Sequence, residues 1–305
     1  MKKIYAVVVT YNRLELLKEC LAALKAQTYK LDKIVVIDNH SEDGTADYLS
    51  TLRGDDLFQI VTNETNEGGS AGFSRGIKIS ALEHPDWIWV MDDDSIPSPD
   101  ALERLLPYTL PEKVGFVNSK VVWKDGTPHV MNIPFVSKNQ EQKKLLFAGN
   151  EALQKNCQIV ESASFVSLLL RGSLPWEVGL PFKEFFIWCD DAEYTERITR
   201  HGYYGLLAED SVVLHKTAKN YSSSLYTVPV SAAWKVFYGE RNESFLRRRR
   251  KGAFKFFFSQ INAFRVHAHH LRKMNIPKED QQILISQSRK GLWAGFFFRP
   301  KVEYL

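Results

Sequence analysis

The sequence has little cysteine: Cys20, Cys157 and Cys189 are its only three, far apart and without the paired spacing of a zinc site. An odd set of scattered thiols excludes a disulfide-stapled secreted module and fits a reducing cytoplasm. Long apolar runs are also missing. No stretch approaches the roughly 20 apolar residues of a membrane-spanning helix. The opening MKKIYAVVVTYNR has an apolar core of only about six residues, too short for a secretory signal. Neither a GxGxxG fingerprint nor a GxxxxGK[ST] phosphate loop occurs, which argues against a dinucleotide-dependent dehydrogenase or a P-loop NTPase. Internal repeats and low-complexity linkers are absent. These absences leave a cytoplasmic protein that is soluble or lies on the inner face of the plasma membrane.

What is present suits one large globular domain with an appendage: 44% hydrophobic and 25% charged residues in 305. The net charge of +4 conceals an asymmetry, because residues 241–305 hold 15 Lys and Arg against 4 Asp and Glu. A basic tail on an acidic body faces a partner. Apolar, β-branched runs (IYAVVV, KIVVI, FQIVT, DWIWVM) alternate with helical patterns up to about residue 100. Such alternation predicts an α/β fold, a mostly parallel sheet flanked by helices. Residues 111–175 read as a less regular half with short strands, and residues after Tyr221 as helical, basic and aromatic.

In parallel sheets ligands bind beyond the carboxyl ends of the strands. Those ends carry Thr10 to Arg13, Asp38 and Asn39, Asn66 to Gly69, and Asp92 to Asp94. Three adjacent carboxylates repel unless a cation or donors compensate them, and a hard divalent ion takes carboxylate oxygens. Strand alternation would aim Asp92 and Asp94 together; the plainer reading is a solvated turn capping the next helix. The glycines of NEGGSAGFSRG let backbone approach a ligand closely near a helix start, and Arg75 could add charge there. KEFFIWCDDAEY delivers Asp190 and Asp191 to a helix start, with Glu193 in its first turn. A carboxylate beside aromatic rings can have a raised pKa and act as a general base, although acids at a helix start also follow from the dipole alone. His215 follows a further short strand, and a lone histidine is as readily structural as ligating.

In order, VVVTYNR, VVIDN, NEGGSAGF, MDDDS and WCDDAEY resemble the motifs of family 2 glycosyltransferases of the GT-A fold, over roughly residues 3–217. The resemblance implies an inverting, metal-dependent transfer from a nucleotide-sugar. Thr10, Tyr11 and Arg13 would border base and ribose, and Asp38 would bond the pyrimidine edge. Asn66, Gly68, Gly69 and Arg75 would lie along the diphosphate. Asp92 and Asp93 would meet the donor, Asp92, Asp94 and His215 would hold Mn²⁺ or Mg²⁺, and Asp191 would be the catalytic base. Trp188, Asp190 and Glu193 would meet the acceptor. Within the family the segments are similar to bacterial galactofuranosyltransferases and rhamnosyltransferases of surface-polysaccharide synthesis, and FYGERNESF resembles a helix motif of both. This implies UDP-galactofuranose first and dTDP-rhamnose second as donor, with a glycan or polyprenyl-diphosphate-linked acceptor. A non-catalytic nucleotide- or glycan-binding protein is the alternative of another class.

The expected layout is a catalytic domain over residues 1–220, with a donor half of about 1–110 and an acceptor half of about 111–220, followed by a helical extension over 221–305. In that extension the cluster Arg247 to Lys251, beside Phe254, Phe256, Phe257, Phe258 and Phe264, predicts either a packing or homo-oligomer surface or a peripheral membrane contact through residues 247–273. Nucleic acid is not an expected partner, since no recognition motif accompanies the charge.

Overall fold

The first strand, β1 (Ile4–Thr10), is buried at every position because both of its faces are covered. Ile4, Ala6 and Val8 point into one apolar cluster with Leu17, Leu21 and Leu24 of α1 (Leu14–Lys25). Val7 and Val9 point into a second with Phe73 and Ile77 of α3 (Gly69–Ala81). Between them lie β2 (Lys33–Asp38), α2 (Thr45–Leu52) and β3 (Phe58–Thr62). The alternation closes with β4 (Trp87–Asp92). The computed structural model describes residues 1–305.

The chain continues through β5 (Ser95–Pro97), α4 (Ala101–Leu105), β6 (Val114–Val122) and β7 (Phe135–Val136). Next come α5 (Gln142–Leu146), α6 (Glu151–Lys155), β8 (Cys157–Ser162), β9 (Leu168–Arg171) and α7 (Leu174–Glu177). Then follow α8 (Asp190–Arg200), β10 (Tyr204–His215), α9 (Trp234–Lys273) and α10 (Lys278–Phe297). The strands form one sheet in the order β3-β2-β1-β4-β9-β6-β10-β8-β7, with β5 paired to β10. The expected parallel pairing holds from β3 to β4. Beyond it the sheet is mixed, because β9 enters antiparallel between β4 and β6.

Two glycines of the NEGGSAGFSRG segment have a packing role that the sequence reading did not assign. A Cβ on Gly72 would lie 2.7 Å from Val9 Cγ1, and one on Gly76 would lie 2.4 Å from Val7 Cγ1, so the bare backbone of the helix rests on the valine side chains of the strand.

Two compact units divide the chain. The sheet unit comprises residues 1–183, 191–220 and 302–305; the helical unit comprises 184–190 and 221–301. The expectation of one cut at residue 220 thus differs in two places: the 184–190 loop belongs with the helices, and the last four residues return to the sheet unit. In the helical unit α9 is broken at Gly252, whose φ of 74° lies outside helical space. The arginine run before the break is not a uniformly free cluster. Arg247 bonds Gln260 Oε1 at 2.7 Å, and Arg248 donates to carbonyls at the end of α10 while lying over the Phe256 ring. No helix is long and apolar enough to cross a membrane.

Candidate active site

The carboxyl ends of β1, β2 and β4 meet, and a network of side chains ties their loops together. Thr10 Oγ1 donates to Asp93 Oδ2 at 2.8 Å, and the Tyr11 amide reaches the same oxygen at 3.4 Å. Arg13 Nη1 contacts Asp93 Oδ1 at 3.3 Å and Asp94 Oδ2 at 2.6 Å. The acidic triplet therefore does not continue the strand with Asp92 and Asp94 on one side. β4 ends at Asp92, the chain turns, and Asp93 and Asp94 share one guanidinium. Burial pushes the Asp93 carboxyl up to about 6, against the pull of Arg13.

Antiparallel pairing sets His215 against this turn. Ser95 of β5 faces His215 of β10, and the Lys216 amide donates to the Asp94 carbonyl at 2.9 Å. His215 Nε2 then lies 3.1 Å from Asp94 Oδ1, with both side chains buried. On its far side the ring meets Asn132: Nδ1 is 2.8 Å from Asn132 Oδ1, while Asn132 Nδ2 donates to Ser164 Oγ. With Nδ1–H spent on Asn132, Nε2 faces the buried Asp94 Oδ1. Two acceptors at that distance need a proton or a metal cation beside them. A nitrogen and a carboxylate oxygen of this kind would suit a divalent ion. Asp94 is held below the ordinary aspartate value, since His215 and Arg13 outweigh the opposing effect of burial. The His129 ring lies 4.4 Å from that of His215, tilted by 36°; burial and then the neighbouring His215 push it down to about 4. The structure gathers no group of three His, Cys, Asp or Glu side chains that could hold a metal ion. Of Asp92, Asp94 and His215, it brings the last two together.

A second network lies at the ends of β2 and β3. Asp38 is fully buried; Oδ1 accepts the Ser41 amide at 3.0 Å, and Oδ2 has no partner. Asn39 bonds Asn66 at 2.9 Å and Asn63 at 3.0 Å, and Asn66 accepts the Gly68 amide at 2.9 Å. Exposed Arg75 is tethered to Asn63. Gly68, at φ 84°, precedes α3, whose first turn has no side-chain cap. The networks join where Asn12 meets Ser41 and Glu42.

Asp191 is half-buried at the start of α8, where Oδ1 accepts the Ala192 amide at 2.7 Å. Burial raises its carboxyl to about 6, overcoming the backbone hydrogen bonds that would lower it. The structure places Glu193, expected to meet the acceptor, in the interior. It is fully buried and held by Arg197 at 2.6 and 3.2 Å, while Arg197 also donates to the Val178 and Leu180 carbonyls. Trp188 and Asp190 lie in the helical unit. There the FYGERNESF motif acts as a clamp: Asn242 Nδ2 reaches the carbonyls of Phe185, Ile187 and Trp188 at 2.9, 3.1 and 2.9 Å. Asn132, His129 and Asn63 carry no periodicity or motif that marks them in the sequence; the first two belong to a single 3-10 turn and the third to a loop.

A family model described as Glycosyl transferase family 2 matches residues 5–162, more than half of the chain. The chain is 28% identical over 222 residues to the galactofuranosyltransferase GlfT1 of Mycobacterium tuberculosis H37Rv, covering 70% of each. It is 28% identical over 218 residues to the O-antigen chain rhamnosyltransferase RfbN of Salmonella typhimurium LT2, covering 70% of this chain and 66% of the relative. Among solved structures it resembles GalNAc-T7 with UDP, GalNAc and Mn²⁺ at a TM-score of 0.60 and 13% identity, over 97% of this chain and 57% of that one. It also resembles the mannosyltransferase PcManGT of Pyrobaculum calidifontis in complex with GDP-Man and Mn²⁺, at 0.54 and 16% identity, over 96% and 72%. The fold is GT-A, and the chain is an enzyme belonging to glycosyl transferase family 2.

Proposed function

We propose that this enzyme transfers galactofuranose from UDP-galactofuranose, with inversion and with the aid of a divalent metal, to a lipid-linked or oligosaccharide acceptor in bacterial surface-polysaccharide synthesis. The observation that carries the reading is the buried approach of His215 Nε2 to Asp94 Oδ1, a nitrogen and a carboxylate oxygen suited to Mn²⁺ or Mg²⁺. The ion, when bound between these residues and the donor diphosphate, would supply charge neutralisation for the leaving group. Asp92 at the strand end is the further ligand we assign to it.

The chain's own groups do the rest. Asp38, with one buried oxygen unpartnered, accepts from the pyrimidine of the donor, and Thr10, Tyr11 and Arg13 border the nucleoside. A Cβ at Gly69 would meet nothing within 4 Å, so packing does not require glycine there; approach of the diphosphate to the uncapped start of α3 does. Asp191 takes the proton of the acceptor hydroxyl as the acceptor oxygen bonds to the anomeric carbon. The bond from that carbon to the diphosphate oxygen breaks on the opposite face, and nucleoside diphosphate leaves. Trp188 and Asp190 are the acceptor-side residues in this reading. The galactofuranosyl preference rests on the likeness to GlfT1; the equal identity to RfbN supports dTDP-rhamnose as the second reading.

Purified enzyme incubated with each nucleotide-sugar, after chelation and then with Mn²⁺, tests all parts. Metal-dependent consumption of UDP-galactofuranose and a product of inverted anomeric configuration are expected. Retention of configuration, or full activity in chelator, would overturn the mechanism; consumption of dTDP-rhamnose instead would replace the donor. Turnover of neither donor with any acceptor would favour a binding protein.

A further inference from the structure

The helical unit exposes an unusual amount of aromatic surface. After the break at Gly252, the second half of α9 turns Phe256, Gln260, Ala263, Ala268 and Leu271 inward. The opposite side is not polar. Phe254, Phe257 and Phe258 are 77, 51 and 57% exposed, and Ile261 is 44% exposed one turn on, the i, i+3, i+4, i+7 spacing of a single helix face.

Helix α10 extends this face. Gln260 donates to the Leu292 carbonyl at 2.7 Å, and a Cβ on Gly295 would meet Ser244 at 2.3 Å, so the helices are closely packed where that glycine lies. This packing brings Phe296 against Phe257, with ring centroids 6.3 Å apart. Trp293 and Phe297 follow, 62 and 68% exposed, with the indole 5.9 Å from Phe296 and 5.7 Å from Phe297. The rings from Phe254 to Phe297 thus form one connected patch drawn from two helices. A soluble protein rarely leaves such a patch to water.

The charges around the patch have one sign. From Ser244 to Lys278 the chain holds ten Lys and Arg and no Asp or Glu, and none occurs from Gln281 to Val302. Lys251, Lys255, Arg265, Arg289 and Lys290 are all exposed. A second copy of the patch would set cations against cations, and a nucleic-acid duplex, which presents phosphates outward, would leave the aromatic rings without burial. An anionic lipid leaflet meets both requirements, since cations engage head groups while Trp and Phe enter the interface. As no helix can span a bilayer, such a contact is peripheral.

We infer that the aromatic face formed by the second half of α9 and the end of α10 binds the surface of an anionic membrane. This deepens the proposed function, which requires the enzyme to reach a lipid-linked acceptor, yet it stands on the patch alone. The test is co-sedimentation of the full chain with vesicles of phosphatidylcholine, with and without phosphatidylglycerol, at low and high salt. Wild type should bind the anionic vesicles at least tenfold more tightly than the neutral ones and lose binding in high salt. Phe254→Ser with Trp293→Ser, and separately Lys255→Ser with Arg265→Ser, should each lose at least tenfold. Both pairs should retain the wild-type melting temperature and the wild-type rate of donor hydrolysis without vesicles, a readout on which failure of the transferase reading appears independently. Equal binding to both vesicle types, no binding, or binding unchanged in both variants would overturn the inference. So would a wild-type dimer in sedimentation velocity that Phe254→Ser with Trp293→Ser dissolves, since the face would then belong to a second copy.

Discussion

Replacing Asp191 by Asn should slow the enzyme and stabilise it at once, because the group is held where its charged form is disfavoured. Burial raises the carboxyl from 3.8 to about 6. At about 1.4 kcal/mol per pKa unit, keeping it ionised costs the fold at most ~3 kcal/mol. Its partial exposure brings the figure nearer to ~1–2 kcal/mol. The folded value lies above the unfolded one, so this contribution is fully favourable below about pH 4 and is lost as pH rises through about 6. Asn does not titrate. Thermal melts of Asp191→Asn and wild type should therefore nearly coincide at about pH 4 and separate by a few degrees at about pH 8, with the variant higher. Transfer at about pH 8 should fall by roughly two to four orders of magnitude with the donor KM unchanged, and wild-type kcat/KM should rise with pH about a midpoint near 6. A variant destabilised at the higher pH, or equally shifted at both, refutes the burial argument. Near-normal transfer refutes the assignment of the base.

Asp94→Ala and His215→Ala should each weaken Mn²⁺-dependent nucleotide binding by at least tenfold in calorimetry, while nucleotide binding in chelator changes little; a variant that keeps metal dependence removes that residue from the site. Gly76→Ala would place a methyl 2.4 Å from Val7 Cγ1 and should cost about 1–3 kcal/mol in urea unfolding, whereas Gly69→Ala, which meets no neighbour, should melt normally yet bind donor more weakly. Asn242→Ala removes an amide whose two hydrogens are shared among three loop carbonyls, so ~2–3 kcal/mol should be lost and protease cleavage between residues 184 and 190 should accelerate.

The donor half was legible in the sequence because its strands are buried on both faces and so read as unbroken apolar runs. Their carboxyl ends, at Thr10, Asp38 and Asp92, followed from that pattern and the rule for parallel sheets. Beyond residue 111 the signal weakens for a physical reason. β9 is four residues long and runs antiparallel between β4 and β6, a position set by partners distant in sequence. His215 was placed after a short strand, whereas it ends the twelve-residue β10, and its pairing with Ser95 joins positions 120 residues apart. Asn132, which orients the imidazole, carries no periodic mark. Glu193 shows the opposite limit: an acid in a first helical turn reads alike whether it meets substrate or, as here, a buried arginine three residues from the helix end.

The loop before Asp191 shows most clearly what pattern alone omits. FFIWC reads as an apolar run leading into a helix, yet Phe186, Trp188 and Cys189 adopt left-handed backbone, with φ of 64, 66 and 68°. Bulky residues cost of order 1–3 kcal/mol each in such conformations, which glycine or asparagine would occupy cheaply. No glycine announces them here, so nothing in the segment betrays the turn. The compensation lies more than fifty residues away, where the Asn242 amide binds three carbonyls of the loop and Arg241 binds the Glu184 and Phe185 carbonyls. Gly239, with no Cβ, admits the Trp188 indole, which a methyl there would meet at 2.5 Å. The Gly-Glu-Arg-Asn stretch of α9 and the Phe-Phe-Ile-Trp-Cys loop are thus two halves of one device. The strain of the second persists because the first over-determines it, in a loop that ends two positions before the carboxylate assigned as base.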